Sequence, residues 1–202
     1  MHKLVLATHN LHKLEEVRAI LSPLAIDVLG SDDVGLKDIP ETGTTFIENA
    51  LLKARAAYNQ LKLPVLADDS GLCIAAMNDG PGLYSARFAK DHGGYPAVFN
   101  EVWRKMGTNP NRSAYFVCAM ALVVGREKNN EYSFMGRMNG RIADKASGTH
   151  LFGYDPIFIP DGYQDTCGVL DSNIKNKISH RAKALEQLVS FLNEHKNILS
   201  SR

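Results

Sequence analysis

The sequence predicts an α/β protein built on a mixed β-sheet with flanking helices. Apolar stretches of strand length alternate with stretches of helical period, and capping or breaking residues stand at helix ends. Two long strand-like stretches also follow each other across a polar turn. Alternating strands and helices favour parallel pairing, whereas the two consecutive long strands favour an antiparallel hairpin. Together they make a mixed sheet.

The first third of the chain supplies three strands and two helices. Residues 3–8 and 26–30 are predicted strands, and the helix between them ends at Pro23. The apolar face of this helix is Leu14, Val17 and Leu21. Thr45 and Glu48 form a capping box that opens a second helix. The apolar face of the second helix is Ile47, Ala50, Leu51, Ala54, Tyr58 and Leu61. A buried strand over residues 65–69 follows.

The rest of the chain continues the alternation. A Gly/Pro-rich loop is predicted at residues 78–82 and a helix at 97–106. The hairpin strands are residues 113–124 and 132–142, joined by a polar turn at 127–130. A short strand at 156–159 precedes a final helix. The apolar face of that helix is Leu185, Leu188, Val189 and Leu192.

Length and composition favour one domain over residues 1–202, because 202 residues that are 45% hydrophobic can bury a substantial core. A net charge of +1 argues against a nucleic acid polymer as partner. The three cysteines lie far apart and predict reduced thiols, partly in the core. No apolar signal region and no membrane-spanning stretch is visible, so we expect a cytoplasmic protein without membrane contact.

The most informative segment is Val65–Gly71, where an apolar strand ends in Asp68 and Asp69, followed by Ser70. Strand ends are rigid mounts from which carboxylates can bind a hard cation. Side chains alternate along a strand, so the two aspartates should point to opposite sides and have different roles. A capped turn explains the same residues equally well on local grounds.

A phosphate-binding connection is the first of four further candidate segments. It comprises Thr8, His9, Asn10, Leu11, His12 and Lys13, between a strand and a helix. Free N–H groups and the helix dipole favour an anion there, and Lys13 adds a positive charge. A plain connection capped by Asn10 is at least as well supported locally, because the glycines of a Walker motif are missing.

Two more segments carry charged groups. Glu41 precedes the helix opened by Thr45 and could reach a cation, and Lys53 lies on that helix. Gly80–Arg87 has the rigidity of a shaped loop with one cation. Solvated surface charges and a structural turn are the alternatives for these two segments.

The fourth segment is double. Phe152, Gly153, Tyr154 and Asp155 offer a flat aromatic surface, a glycine that allows close approach and a carboxylate that can accept from a ring N–H. Later come Lys175, His180 and Arg181, of which Arg181 offers only donors. Core packing or a helix start with surface charges explains each of these alone. Together the segments form the inventory of a nucleotide site.

In their order and separations these segments resemble the inosine triphosphate pyrophosphatase family, also called XTP/dITP diphosphatases. The resemblance covers nearly the whole chain and depends most on Asp-Asp-Ser-Gly, Phe-Gly-Tyr-Asp-Pro and Ser-His-Arg. It implies an elongated α/β fold with two lobes around a central cleft. It also implies Mg²⁺-dependent hydrolysis of ITP, dITP and XTP to the monophosphate and pyrophosphate, by a homodimer that cleanses the nucleotide pool.

The resemblance also implies residue roles. Asp69 matches the catalytic carboxylate and metal ligand, and Glu41 matches a second metal contributor. Ser70 matches a substrate contact. The remaining implied substrate contacts are Thr8–Lys13 and Lys53 for the triphosphate, and Phe152–Asp155, Lys175, His180 and Arg181 for the nucleotide. Which aspartate acts as the base stays open.

Two departures from the family pattern stand out. His9 replaces a glycine of many members, which would be costly if the backbone there needed positive φ. Residues 166–174 lack the usual acidic pattern before Lys175. Two alternatives remain: a Maf-like nucleotide pyrophosphatase and a non-catalytic nucleotide-binding regulator. The aromatic segment argues against the first, and the set of Asp69, Glu41 and Lys13 argues against the second.

Overall fold

The structure is a computed structural model that describes residues 2–149 and 152–200. Its strands are β1 His2–Leu6, β2 Ile26–Leu29, β3 Val65–Ile74, β4 Gly80–Pro81, β5 Ser113–Val123, β6 Glu131–Ile142 and β7 Phe158–Pro160. Its α-helices are α1 Leu11–Leu21, α2 Phe46–Leu61, α3 Ser85–Asp91, α4 Ala97–Met106, α5 Ser172–Ile178 and α6 His180–Glu194. Short 3₁₀ turns join several of these elements.

The strands form one mixed sheet in the order β2-β1-β3-β5-β6-β7, with β4 paired to the end of β3. Strand β1 lies parallel to both β2 and β3, with Leu4 opposite Val28 and Val5 opposite Val65. Strands β4 and β7 pair antiparallel with β3 and β6. The predicted α/β class with a mixed sheet and flanking helices is therefore confirmed.

The β5–β6 hairpin is confirmed as well. The two strands are neighbours in the sheet, and the Val124 N–H donates to the Asn130 carbonyl at 3.0 Å to close the turn. Because parallel strands need a crossover of about a dozen residues or more, this short connection makes the pair antiparallel.

The described chain divides into two compact units. Unit 1 comprises the residues up to Asp69, Cys118–Met135 and the residues from Ala184 onward. Unit 2 comprises Ser70–Val117 and Gly136–Lys183. Strands β3, β5 and β6 each contribute residues to both units.

Unit 1 has a core on each face of its strands. On one face, Leu66 of β3 packs with Leu14 of α1 and Leu185 of α6. On the other face, Val65 and Ala67 of β3 pack with small residues of α2. The predicted helix faces are largely confirmed, because Leu14, Val17 and Leu21 of α1 and Leu185, Leu188 and Leu192 of α6 are buried. In α2, Ala57 and the polar Asn49 are buried too, although the apolar pattern did not include them.

Unit 2 has its own core, in which helix α4 packs against the far ends of the central strands. Val98 and Val102 of α4 lie with Leu72 and Ile74 of β3 and with Phe158 of β7. The prediction of a helix at 97–106 is confirmed at both ends. All three cysteines are reduced and buried, also as predicted.

Several boundaries were predicted wrongly. Strand β3 does not end at Asp69 but continues to Ile74, because residues 71–74 are buried and β4 pairs with Cys73 and Ile74. The capped-turn alternative is wrong for the same reason. Residues 78–82 are not a plain loop, since they contain β4, and residues 155–157 form a 3₁₀ turn before β7. Helices α3 and α5 have seven residues each, too short to show a clear apolar period.

Within the described residues, no helix combines the length and the apolar character needed to cross a membrane.

Candidate active site

Asp68 and Asp69 lie side by side within β3 and are both buried, but they have different partners. Asp68 Oδ2 accepts from Lys13 Nζ of α1 at 2.7 Å. Asp69 Oδ2 accepts from Asn49 Nδ2 of α2 at 2.9 Å. The alternation of a strand therefore sends one carboxylate towards each helix, which confirms the prediction that the two aspartates face opposite sides.

Lys53 and Glu41 complete a group of charged side chains in unit 1. The Lys53 ammonium donates to the Glu41 carboxylate and to the backbone carbonyl of Asp68. Helix α2 thus connects the segment before it to strand β3. We call Lys13, Glu41, Lys53, Asp68 and Asp69 the carboxylate–lysine cluster.

Asp69 is a carboxylate whose titration is shifted by its surroundings. Burial raises the pKa of Asp69 to about 6, and the negative charges of Glu41 and Asp68 add to the rise. The hydrogen bond from Asn49 and the charge of Lys53 lower the pKa and offset part of it. A buried carboxylate with a pKa near neutrality suits proton transfer, and its ionised form would be stabilised by a cation.

The donor chemistry of the cluster fits a hard cation. Mg²⁺ in proteins is usually held by one or two carboxylates and completes its shell with water and substrate phosphates. Three carboxylates face two lysines in the cluster, so the group carries an excess of negative charge. Within residues 2–149 and 152–200 no three His, Cys, Asp or Glu side chains are grouped as a ready-made metal site. Glu41 and Asp69 would hold the ion, and water or the phosphates of a bound nucleotide would complete its shell.

The connection between β1 and α1 is capped by its own side chain. Asn10 Oδ1 accepts from the N–H groups of His12 and Lys13 at 3.1 and 3.3 Å, so the alternative of an Asn10 cap is confirmed. Thr8 Oγ1 accepts from the Asn10 N–H, while the Leu11 side chain is exposed. A phosphate in this place would compete with Asn10 for the same two N–H groups.

His9 faces two carboxylates, from Asp32 at 2.8 Å and Asp38 at 3.2 Å. Its backbone does not adopt positive φ. The strain considered for a histidine in place of glycine therefore does not arise here. Thr8, His9, Asn10 and Leu11 line a small pocket together with Ser31 and Asp32.

In unit 2 the segment Phe152–Asp155 meets helix α5. The Lys175 ammonium donates to the buried Asp155 carboxylate and lies 5.3 Å from the centre of the Phe152 ring. Gly153 has a backbone φ of +58°, a conformation that residues other than glycine rarely adopt. We call Phe152–Asp155 with Lys175 the aromatic strip. The structure brings Lys175 to this strip although residues 166–174 depart from the family pattern.

Tyr154 holds the aromatic strip to the segment Gly80–Arg87. Its hydroxyl donates to the Ser85 carbonyl at 2.8 Å, and its ring lies edge-on to Tyr95, with 5.1 Å between centroids. Ser85 Oγ in turn accepts from the Leu72 N–H at 2.9 Å. The segment Gly80–Arg87 therefore has a structural role, as its structural-turn alternative allowed, and the partner that it supports, Tyr154, was not predicted.

His180 and Arg181 form the start of α6. Ser179 Oγ caps this helix by accepting from the Ala182 N–H at 3.0 Å. The His180 ring stacks on Phe116 at 4.9 Å between centroids, and Arg181 is buried. Ser70 is half-buried and follows Asp69 directly in β3. The predicted site residues therefore fall into the carboxylate–lysine cluster and the adjoining connection in unit 1, and into the aromatic strip, the α6 start and Ser70 in unit 2.

Sequence reasoning missed Asn49 as a partner of Asp69. Asn49 stood among the polar residues around the start of α2, in the segment Glu48-Asn49-Ala50 of the family pattern, but no partner was predicted for it. Burial distinguishes Asn49 from the other polar residues near the start of α2, since only 3% of its surface is exposed. The spacing of residues in the sequence does not show that an amide is buried on a helix face rich in alanine.

Comparison with known proteins defines the class of this fold and site. The sequence model of the Ham1 family matches residues 4–191. The Ham1 protein of Staphylococcus aureus superposes with a TM-score of 0.86 at 36% identity, covering 96% of this chain and 99% of that one. A HAM1 protein from Coxiella burnetii gives a TM-score of 0.85 at 41% identity, covering 96% and 100%.

Curated relatives agree with the structures. A dITP/XTP pyrophosphatase of Leptospira interrogans is 42% identical over 198 residues, covering 94% of this chain and 96% of the relative. A dITP/XTP pyrophosphatase of Streptomyces coelicolor is 42% identical over 201 residues, covering 96% and 98%. The chain belongs to the Ham1 family, and the resemblance to the inosine triphosphate pyrophosphatases is confirmed.

Proposed function

We propose that this protein is a nucleoside triphosphate pyrophosphatase that hydrolyses deaminated purine nucleotides (ITP, dITP and XTP) to the monophosphate and pyrophosphate. The observation that carries the proposal is the carboxylate–lysine cluster, in which Asp68, Asp69 and Glu41 lie with Lys13 and Lys53. Relatives named dITP/XTP pyrophosphatase, 42% identical over nearly the whole chain, supply the substrate class. The family match also favours this function over a Maf-like enzyme.

The proposed roles in substrate binding follow from the chemistry of the two lysines of the carboxylate–lysine cluster and of the aromatic strip with Arg181. Lys13 and Lys53 would contact the triphosphate and stabilise the departing pyrophosphate, because ammonium groups pair well with phosphate oxygens. Phe152 and Tyr154 would bind the base, and the donors of Arg181 would meet a 6-oxo group rather than a 6-amino group. Adenine is then rejected because its 6-amino group is a hydrogen-bond donor and would face the donors of Arg181.

Asp69 would orient and deprotonate the attacking water. The water oxygen forms a bond to the α-phosphorus, the bond to the bridging oxygen of the β-phosphate breaks, and the water proton passes to the carboxylate. Asp69 suits this role better than Asp68, because Asp68 pairs with the cation of Lys13 at 2.7 Å, whereas Asp69 accepts from the neutral amide of Asn49. Glu41 and Asp69 would hold Mg²⁺, which when bound neutralises triphosphate charge and polarises the phosphoryl group. We also propose that the protein is cytoplasmic and forms a homodimer. Light scattering, which measures molar mass, tests the dimer.

The test is to incubate the protein with ITP, dITP, XTP, ATP or GTP in Mg²⁺ and to measure pyrophosphate and orthophosphate separately. We expect pyrophosphate from the deaminated nucleotides, much less from ATP and GTP, and no orthophosphate. Orthophosphate as the first product would replace pyrophosphatase with stepwise phosphohydrolase activity. Tight nucleotide binding without any hydrolysis would favour the non-catalytic regulator. Omission of Mg²⁺ tests the metal requirement in the same assay.

A further inference from the structure

Asn49 connects two parts of the carboxylate–lysine cluster. Its Nδ2 donates to Asp69 Oδ2 at 2.9 Å, while its Oδ1 accepts from the Gly43 N–H at 2.7 Å. Because the Gly43 amide can only donate, Oδ1 must face it, and the NH₂ group must face Asp69. The orientation of the amide is thus fixed from both sides.

The contact with Gly43 is close enough to require glycine. A Cβ at position 43 would lie 2.8 Å from both Asn49 Oδ1 and Glu48 Cβ, and 3.1 Å from the Asn49 backbone nitrogen. These atoms cannot move away easily, since Asn49 is buried and both residues belong to helix α2. Glu41 stands two residues before Gly43, so the contact fixes the path of the segment that carries Glu41.

We propose that Asn49 is a positioning residue that couples Glu41 to Asp69, the two groups assigned to the metal. This inference rests on the proposed function and its metal site. One amide holds the Asp69 carboxylate directly and holds the Glu41 segment through Gly43. Partners of metal-binding carboxylates fix the direction of the ligand oxygens, and their loss typically costs about 10- to 100-fold in metal affinity or activity.

Three variants of the full chain separate the two contacts. Asn49→Ala removes both. In Asn49→Asp, one carboxylate oxygen can still accept from the Gly43 N–H. The other oxygen replaces the NH₂ donor and faces the Asp69 carboxylate, so the hydrogen bond to Asp69 is lost. Gly43→Ala disturbs the Gly43 contact and leaves the donor to Asp69 in place. Asn59→Asp is the matched control, because Asn59 lies exposed on the same helix and its side chain has no role in the cluster.

The first readout needs neither turnover nor nucleotide. Binding of Mn²⁺ to the free protein is measured by electron paramagnetic resonance, and amide hydrogen exchange is measured for residues 41–44. We expect Mn²⁺ affinity to fall about tenfold or more in Asn49→Ala and Gly43→Ala, and to stay unchanged in Asn59→Asp. Exchange at Gly43 should accelerate in Asn49→Ala and stay slow in Asn49→Asp.

The second readout is steady-state hydrolysis of ITP at saturating Mg²⁺, after thermal melts have shown which variants are folded. We expect kcat to fall about tenfold or more in Asn49→Ala and Asn49→Asp, with KM changed by less than about threefold. A smaller folded fraction would also lower the apparent kcat at unchanged KM, so kcat is calculated per folded protein, with the folded fraction taken from the thermal melts.

Unchanged Mn²⁺ affinity and unchanged kcat in folded Asn49→Ala would overturn the proposal. If Asn49→Ala does not fold, Gly43→Ala decides, and normal Mn²⁺ affinity in that variant would overturn the coupling. If the wild type does not hydrolyse ITP, the proposed function fails, and the Mn²⁺ and exchange data still decide whether Asn49 couples the two segments.

Discussion

The carboxylate–lysine cluster and the aromatic strip are built on different kinds of backbone. Asp68 and Asp69 lie inside β3, and Lys13 and Lys53 lie on α1 and α2, so these four charged groups stand on regular elements. The aromatic strip lies on a turn that needs positive φ at Gly153, and a seven-residue helix supplies its lysine. The structure thus places four of the five cluster residues on regular backbone and the base-binding segment Phe152–Asp155 on a turn, while Glu41 lies in the segment before α2 and Arg181 lies on α6.

The two regions also differ in charge balance. In the aromatic strip the buried Asp155 carboxylate is matched by Lys175. In the cluster, three carboxylates share two lysines, and burial leaves Asp69 with a raised pKa. An excess of negative charge around a buried carboxylate is unfavourable in the free protein and becomes favourable when a cation binds. The cluster is therefore the region whose properties should depend on metal and pH.

The largest effect should come from Asp69→Asn. Loss of the proposed base and metal ligand should lower kcat for ITP about 10³-fold, within the range that general bases contribute, while the fold and much of the nucleotide affinity remain. The measurement is kcat by pyrophosphate release, with circular dichroism as the check on folding. Asp68→Asn is the control and should cost less. Near-normal hydrolysis by folded Asp69→Asn would remove Asp69 from the mechanism.

The next effect concerns the recognition side. Arg181→Ala should lower ITP hydrolysis and reduce the ITP-to-ATP ratio of kcat/KM by about 10²-fold or more, because sites that hydrogen-bond a substrate group discriminate strongly against analogues. The ratio is measured by competition between the two nucleotides. If the ratio stays constant while both activities fall, Arg181 does not recognise the base and instead has a phosphate-binding or structural role.

Breaking the ion pair of the aromatic strip should reduce stability. Lys175→Met leaves Asp155 buried without its cation, which we expect to cost about 2 to 3 kcal/mol of unfolding free energy and to raise KM for ITP. Denaturant unfolding measures the first effect and initial rates the second. The double variant Lys175→Met, Asp155→Asn should recover most of the stability but not the KM. Equal stability of the single variant and the wild type would show that the pair contributes nothing.

Asp69 should also make stability depend on pH in the absence of metal. Its pKa in the folded state is about 6 instead of 3.8, so the folded protein holds this proton more tightly than the unfolded chain does. Stability should then fall as pH rises from about 4 to 6, by about 2 kcal/mol in order of magnitude. Asp69→Asn should be more stable than the wild type at pH 8, with no advantage below pH 4. Added Mg²⁺ should reduce the difference in unfolding free energy between Asp69→Asn and the wild type. An Asp69→Asn variant that is less stable than the wild type at pH 8 would contradict the predicted direction of the effect.

The smallest effect should come from Lys13→Ala. Loss of one ammonium should weaken triphosphate binding about tenfold and monophosphate binding much less, because Lys13 is assigned to the phosphates that leave. Calorimetric titration with ITP and IMP in Ca²⁺ gives both constants. Equal losses of affinity for ITP and IMP would mean that Lys13 does not contact the leaving phosphates and acts only by holding Asp68.

The sequence by itself determined most of the long regular elements and the residue types of the site. Apolar spacing placed the buried faces of α1 and α6, and the capping box at Thr45 and Glu48 placed the start of α2. Strand alternation was enough to separate Asp68 from Asp69. Such features depend on neighbours within a few positions, which is why local rules predict them.

Only the tertiary structure decided where β3 ends, what holds Tyr154 and what holds Asp69. The pairing of β4 with Cys73 and Ile74 extends β3 beyond the aspartates, and the Ser85 carbonyl holds Tyr154 from 69 positions away. The Asn49 contact with Asp69 joins residues 20 positions apart. Each of these depends on burial and on partners brought together by the sheet, and no local period in a sequence records which distant polar group will satisfy a buried one.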